Sequence, residues 1–347
     1  MILNFLRNKI LTKKPKVLLP NKNYKSKSFN DEILYKIKSF GKKNKNKIFY
    51  VIRRSPGAGM FSNINFVIHH LFISEIFNFI PVIDMQNYPN YYNEKNSINK
   101  VKNSWEYYFY PISKYNLNDV YKSKNVIICE STTNKNPYIT GYLDLPYDEK
   151  KYFKKYLKFK KHILKKKFLF IKKNFKNKKI LGVHFRGSDQ KFGAGHPFPP
   201  TVQQIIYNID KLLNVYNYDK IFLVTEEKAY FNILKKKYGE KICTLNNYRS
   251  LKDIFDAYPR KNHRYLLGEE ILLNTLLLSE TDHILGNDSN VVGSALSLSK
   301  QKKLVTKIYN GFNSKHVFFA LILWKLKSLL PKYLGGFEVK FFGSKVK

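Results

Sequence analysis

The sequence predicts an α/β protein built on parallel sheet, and three observations carry that prediction. Short apolar runs alternate with amphipathic helical stretches, above all from Ile180 to Thr306, which is how successive strand-helix-strand units read. Polar residues gather where the apolar runs stop, as in HFRGSD from His184 to Asp189. The 347 residues, 44% of them hydrophobic, supply a large core and enough length for two domains.

Composition narrows the classes. The chain carries 63 Lys+Arg against 25 Asp+Glu, a formal net charge of +38. That balance suits nucleic acid, an anionic membrane surface or acidic substrates. The excess is mostly lysine, accompanied by many Asn, Ile, Phe and Tyr, so drift in an AT-rich coding sequence is an equal account of it. No nucleic-acid-binding motif accompanies the charge, and a nucleic-acid partner is not expected. The two cysteines, Cys129 and Cys243, have no metal-ligand spacing and point to a reducing compartment. MILNFLRNKILTKKPK interrupts its apolar residues with lysines and does not read as a signal peptide. The run from Ile64 to Ile83 is broken by His69, His70 and Glu75, and Val317 to Trp324 is too short for a span. The expectation is a cytoplasmic protein, either free or peripheral on the inner face of the membrane.

In chain order, residues 1–46 read as a basic lead-in with a short amphipathic helix at Ile2 to Leu11. An N-terminal α/β domain is expected over 47–175. It opens with strand Ile48 to Ile52, the turn RRSPGAGMFSN, and helix Ile64 to Phe77 with Phe66, Val67, Leu71, Ile73 and Ile76 on its buried side. Gly57 and Gly59 would let backbone approach a ligand, and the following helix N-terminus would favour an anion. A tight turn without a ligand is the equal alternative. Strand Ile80 to Ile83 ends just before Asp84, and Trp105, Glu106, Tyr107, Tyr108 and Phe109 cluster farther on. Such rings beside a carboxylate either stack a sugar or pack in the core. From Lys150 to Lys179 there are fifteen lysines and no acid, with Phe153, Leu157, Ile163, Leu164 and Phe168 at near-helical spacing. This reads as one basic amphipathic helix, with a solvated face or one that meets anionic headgroups.

A second domain is expected over 176–310. Its elements are strand Ile180 to Phe185, helix Val202 to Leu213, strand Lys220 to Val224, helix Lys228 to Tyr238 and strand Lys241 to Leu245. Helix Leu266 to Ser279, strand His283 to Leu285, helix Val291 to Ser299 and strand Lys303 to Thr306 follow. Residues 311–347 form a C-terminal amphipathic helix and tail. HVFFALILWKLKSLLPKYL there either closes over the first domain as a core helix or lies on a membrane interface.

Three strand ends in the second domain are polar together. Ligands of open α/β sheets bind beyond the carboxyl ends of the strands, which is where His184, Arg186 and Asp189 fall. Arg186 there can grip a diphosphate bidentately, with Asp189 holding its guanidinium; a surface Arg–Asp pair closing a turn is the alternative. Carboxylates of Glu226 and Glu227, beside Thr225, could accept from ribose hydroxyls or a base. Gly286 to Asn290 opens a helix, so its N–H groups together with Asp288, Ser289 and Asn290 could hold a phosphate, or simply cap the helix.

From Ser55 to Ser299 the segments resemble the fucosyltransferase superfamily, most closely its α1,6 type of nodulation and N-glycan-core enzymes. GAGMFSNINFVIHH, VIDMQNY and WEYYFYPIS follow that family's order at the front, and GVHFRGSD, VTEE and LSETDHILGNDSNVV at the back. The resemblance implies two Rossmann-like domains facing each other across a cleft, a GT-B-like arrangement, with the nucleotide sugar bound mainly by the second. It implies inverting transfer without metal or cofactor, from a GDP-sugar such as GDP-fucose to a glycan or lipid-linked glycan acceptor. It also implies Arg186 on the diphosphate, His184 near the nucleoside, Ser289 on a phosphate, and Glu226 and Glu227 around the donor.

Three departures from the family pattern bear on mechanism. Gly187 stands where relatives often carry a second arginine. Asn274 stands where many carry an aspartate that satisfies guanine. QKFGAGHPF has no acid where core-type enzymes place their general base. The base then falls to His196, since an imidazole titrates near ~6.5, or to Asp84 or Glu106 from the other domain. A non-catalytic nucleotide- or glycan-binding protein on the same fold is the alternative.

Overall fold

The computed structural model describes residues 10–11, 37–54, 59–129, 148–250, 254–255 and 258–338. The chain separates into two compact units, Met1–Lys160 and Lys161–Lys347.

The N-terminal unit contains strands β1 (Ile10–Leu11), β2 (Ile37–Lys38), β3 (Phe49–Ile52), β4 (Ile80–Ile83) and β5 (Val126–Cys129), in sheet order β1-β2-β5-β3-β4. β3 pairs parallel with both β4 and β5, while β1 and β2 add antiparallel to one edge. All four residues of β3 are buried, because both faces of this strand are covered. Phe49 and Val51 pack with Val82, Val120 and Val126, and the Tyr50 hydroxyl meets Nδ1 of His70 at 2.7 Å on helix α1 (Met60–Ile76). α1 starts four residues earlier than its apolar pattern predicts, with the Met60 N–H donated to the Tyr92 hydroxyl at 2.8 Å. It is buried nearly all round, polar His69, His70, Asn63 and Ser74 included. Two short helices, α2 (Trp105–Tyr108) and α3 (Leu117–Val120), precede β5.

Two expectations are corrected here. The predicted basic helix over Lys150 to Lys179 is two helices, α4 (Glu149–Tyr156) and α5 (Lys161–Asn174). Between them Phe159 forms an antiparallel bridge with Phe109: the Tyr110 N–H donates to the Lys158 carbonyl and the Lys160 N–H to the Tyr108 carbonyl, so these peptides cannot continue a helix. The break re-phases the pattern, burying Phe153, Leu157 and Ile163 but exposing Leu164 and Phe168. At the front, Ile10–Leu11 is a strand paired with β2 rather than the end of a helix, and the remainder of that predicted helix lies outside the described residues.

The C-terminal unit is organised by strands β6 (Ile180–His184), β7 (Lys220–Val224), β8 (Ile242–Cys243), β9 (His283–Gly286) and β10 (Leu304–Lys307), all parallel, in the order β10-β9-β6-β7-β8. Helices α6 (Val202–Tyr216) and α7 (Lys228–Tyr238) pack with Leu181, Val183, Ile221, Leu223 and Leu285 on one face. α5, α8 (His263–Leu278) and α9 (Asn290–Leu298) meet Ile180, Phe222, Val224 and Ile284 on the other. Alternate residues of each strand thus serve opposite cores, which is why the strands read as unbroken apolar runs. A last helix, α10 (Val317–Leu329), follows β10. Among the described residues no helix is long and apolar enough to cross a membrane.

Candidate functional site

The strand order decides where this unit can bind a ligand. The chain runs outward from β6 through β7 to β8, then returns to lay β9 and β10 on the other side of β6. The connections after β6 and after β9 therefore leave in opposite directions and open a crevice between their C-terminal ends. The residues at that crevice are His184 to Gly187 on one side and Gly286 to Asn290 on the other.

Gly286 permits the close approach: a Cβ there would come 3.1 Å from the His184 carbonyl oxygen and 3.3 Å from its Cβ. Ser289 caps α9, its Oγ accepting from the Val292 N–H at 3.3 Å, and the same Oγ lies 3.5 Å from His184 Nδ1. Burial, and then the Arg186 cation, hold the His184 imidazole down at about 3, so it is a neutral hydrogen-bonding ring at ordinary pH. Asn287, which follows Gly286, is buried and donates from Nδ2 to Gln190 Oε1 at 3.0 Å. Asp288 pairs with Lys307 at 3.0 Å, and Asn290 is the first residue of α9.

Arg186 keeps 30% of its side chain accessible at this crevice, with Nε 3.7 Å from Glu226 Oε1. The same carboxylate oxygen accepts from the Gly187 N–H at 3.4 Å. Phe185 points the other way and stacks on Tyr230, centroids 3.9 Å apart, which fixes the strand end from which Arg186 projects. Glu227 grips Lys191 through both oxygens, at 2.9 and 3.1 Å, and its N–H donates to Thr225 Oγ1 at 3.3 Å. The Lys191 ammonium lies 4.7 Å from the Tyr230 ring centre and 5.1 Å from that of Trp324. The groups gathered here are a helix N-terminus with a hydroxyl, an accessible guanidinium, and carboxylates that hold cations in place, a set whose chemistry suits an anion.

Comparison with solved structures bears on what this architecture is. The α1,6-fucosyltransferase NodZ co-crystallised with GDP aligns with a TM-score of 0.52 at 13% identity, covering 78% of this chain and 97% of that one. The chain has a fucosyltransferase-like fold. NodZ from Bradyrhizobium aligns equally, with a TM-score of 0.52 at 12% identity over 78% of this chain and 100% of the other. At such identities the likeness concerns the fold alone: mixed α/β with parallel sheets, similar to GT-B fucosyltransferase structures. No protein-family model and no curated protein sequence matches the chain.

On this fucosyltransferase-like fold, His184, Arg186, Thr225, Glu226, Glu227, Asp288, Ser289 and Asn290 all belong to the C-terminal unit's strand ends. Asn274 is buried in α8, its Oδ1 without a hydrogen-bond partner. His196 is exposed on a turn whose ends are tied down: its N–H donates to the Gly193 carbonyl and its carbonyl accepts from the Asn313 N–H. Gly57 and the side chain of Asp189 lie outside the described residues.

The remaining candidates belong to the N-terminal unit. Gly59 has φ −64° and ψ 160°, and a Cβ there would meet no other atom of the described chain within 4 Å. Asp84 is fully buried and its carboxylate accepts from the Gln86 N–H (3.2 Å), the Asn87 N–H (2.9 Å), Asn87 Nδ2 (3.1 Å) and the Tyr121 hydroxyl (2.6 Å). Burial raises the Glu106 carboxyl above its ordinary value, against the pull of Lys160 and of the Asn103 amide. The rings around it, Trp105, Tyr107, Tyr108 and Phe109, are core. Lys191, Gln190 and Asn287 escaped the sequence reading. Lys191 had a usable signal, as a cation five residues past Arg186 in the same loop.

Proposed function

We propose that this chain is a glycosyltransferase that moves fucose, or a similar sugar, from a GDP-sugar to a glycan or lipid-linked glycan acceptor, with inversion and without metal. The observation that carries the reading is Arg186: a guanidinium with 30% of its side chain accessible, on the residues that follow β6 at the switch point of a parallel sheet. NodZ, on a similar fold, was co-crystallised with GDP and soaked with GDP-fucose, which supports a nucleotide-sugar donor here.

In this reading Arg186, Ser289 and the first N–H groups of α9 bind the diphosphate. Glu226 orients Arg186, and neutral His184 serves the nucleoside side as a hydrogen-bonding partner. As the acceptor oxygen attacks the anomeric carbon, the bond from that carbon to the phosphate oxygen breaks and negative charge grows on the leaving diphosphate. A fixed cation and helix N-terminus stabilise that charge more than the ground state, which is how they accelerate the step. The acceptor hydroxyl gives up its proton to a base, and His196, exposed and free of a fixed role in the core, is the first candidate. Glu106, with its raised carboxyl, is the second. Asn274 offers one buried acceptor oxygen for a base N–H, where an aspartate would offer two charged ones. The reading places the protein in the cytoplasm or on the inner membrane face.

A second reading, a nucleotide- or glycan-binding protein without turnover, draws support from Asp84, whose carboxylate is spent on four internal donors. Isothermal titration with GDP, UDP and CMP, followed by a nucleotide-release assay over GDP-sugars, separates the two. Transfer predicts GDP binding and release of GDP from GDP-fucose with a suitable acceptor. Binding without release over a broad acceptor panel would favour the second reading.

A further inference from the structure

Helix α10 is apolar over most of its circumference, and much of that apolar surface faces outward. Its inner side is narrow. Ala320 is fully buried with its carbonyl accepting from Asn313 Nδ2 at 3.0 Å, and Trp324 Nε1 donates to the Pro199 carbonyl at 3.0 Å under the Lys191 ammonium. Those contacts fix which side faces away. At 100° per residue, Phe318, Leu321, Ile322, Leu326, Leu329 and Phe319 fall on the opposite arc, and all six are exposed, Phe318 at 63% and Leu329 at 74%. Only Lys325 interrupts them. Beyond the helix, Leu330, Tyr333 and Leu334 extend the exposed apolar surface. Scattered exposed apolar residues are ordinary, but a contiguous face of this kind marks an interaction surface.

The charge around the face says what kind of partner fits. From Val291 to the last residue the chain has eleven lysines and a single acid, Glu338. Lys315 precedes the face, Lys325 lies within it and Lys332 follows it, all exposed. A second copy of the chain would bring this cationic border against itself, whereas anionic headgroups would neutralise it. Thirteen residues at about 1.5 Å each give a helix about 20 Å long, too short for a hydrocarbon core of about 30 Å. We infer that α10 is a membrane-docking helix that lies in the plane of an anionic bilayer surface, its Phe and Leu side chains at the acyl boundary and its lysines among the headgroups. This surface is independent of the nucleotide-binding reading.

The test is co-sedimentation of the full chain, without nucleotide, with vesicles of phosphatidylcholine alone or with one-third phosphatidylglycerol. The wild-type chain is expected to sediment with the anionic vesicles. The pair Phe318→Ser/Leu326→Ser, and separately the triple Lys315→Gln/Lys325→Gln/Lys332→Gln, are each expected to lose at least about tenfold in partition. These side chains are exposed, so both variants should melt with the wild type, and the melting curve is the control for folding. Absence of wild-type binding to anionic vesicles would overturn the proposal, as would binding by the Phe318/Leu326 variant equal to wild type. A lipid-free dimer, seen by light scattering and dissolved by the same pair of substitutions, would assign the face to a second copy instead. Protection of the α10 amides from hydrogen exchange, alike with and without lipid, would likewise overturn it.

Discussion

Gly187 and Glu227 share one volume: the Glu227 carboxylate stands where a side chain at position 187 would begin. That carboxylate in turn holds Lys191 by both oxygens. Glycine, glutamate and lysine here are packed so that no side chain fits at position 187 without displacing Glu227. Gly187→Ala is expected to overpack the site and lower stability by about 1–3 kcal/mol, measured by denaturant titration. In the pair Gly187→Ala/Glu227→Gly the space is restored, so much of the alanine cost should disappear. Simple addition of the two single losses would contradict the shared volume.

The Arg186–Glu226 contact, at 3.7 Å and partly exposed, is orienting rather than stabilising. Glu226→Gln is expected to leave the melting temperature unchanged and to weaken GDP binding by up to about fivefold, the equivalent of roughly 1 kcal/mol. Calorimetric titration at moderate salt reads this. Tighter GDP binding in the variant would mean that Glu226 competes with phosphate for Arg186 rather than presenting it.

Three buried histidines set an acid limit on stability. Burial holds His184 at about 3 and His69 and His283 at about 4, all below the ordinary histidine value. Below about pH 6.5 the unfolded chain takes up protons that the folded chain refuses, so stability is full above that pH and falls as pH drops towards 4. Thermal melts at pH 8, 6 and 5 should show the decline, and His184→Gln should flatten it. A profile that is level from pH 8 to 5 would rule the effect out.

Asp84 and His196 are separable by what each loses. Asp84→Asn puts an amide against donors that need an acceptor, so about 1–3 kcal/mol of stability should go, and any activity should fall only with folding. His196→Ala, at an exposed turn, should leave stability within about 0.5 kcal/mol and the GDP dissociation constant unchanged, while kcat falls by about 10²–10⁴-fold. Unaltered turnover in the alanine variant would remove His196 as the base.

Much of the C-terminal unit was legible in the sequence because its strands are buried on both faces and its helices are amphipathic. β7 and α7 have the predicted bounds, and α8, α9 and β10 are displaced by three residues or fewer at either end. Two of the three polar strand ends that the sequence singles out, after β6 and β9, fall at the switch point, and the third, after β7, reaches Arg186 through Glu226. What was illegible depended on contacts between distant segments. The Phe109–Phe159 bridge that divides the basic helix joins residues fifty apart, and no local period announces it. β5 is the exception, since its VIIC run between polar Asn125 and Glu130 has the pattern of a strand. The fate of Asp84 turned on Tyr121, a hydroxyl that only the fold brings near.

The central claim is that Arg186 holds the diphosphate of a GDP-sugar. Calorimetric titration of GDP into the wild-type chain and into Arg186→Ala tests it most directly. The account predicts measurable GDP binding by the wild type and at least a tenfold loss in the variant, as expected when a charge-assisted bidentate contact is removed. Equal affinity in the two proteins would contradict it.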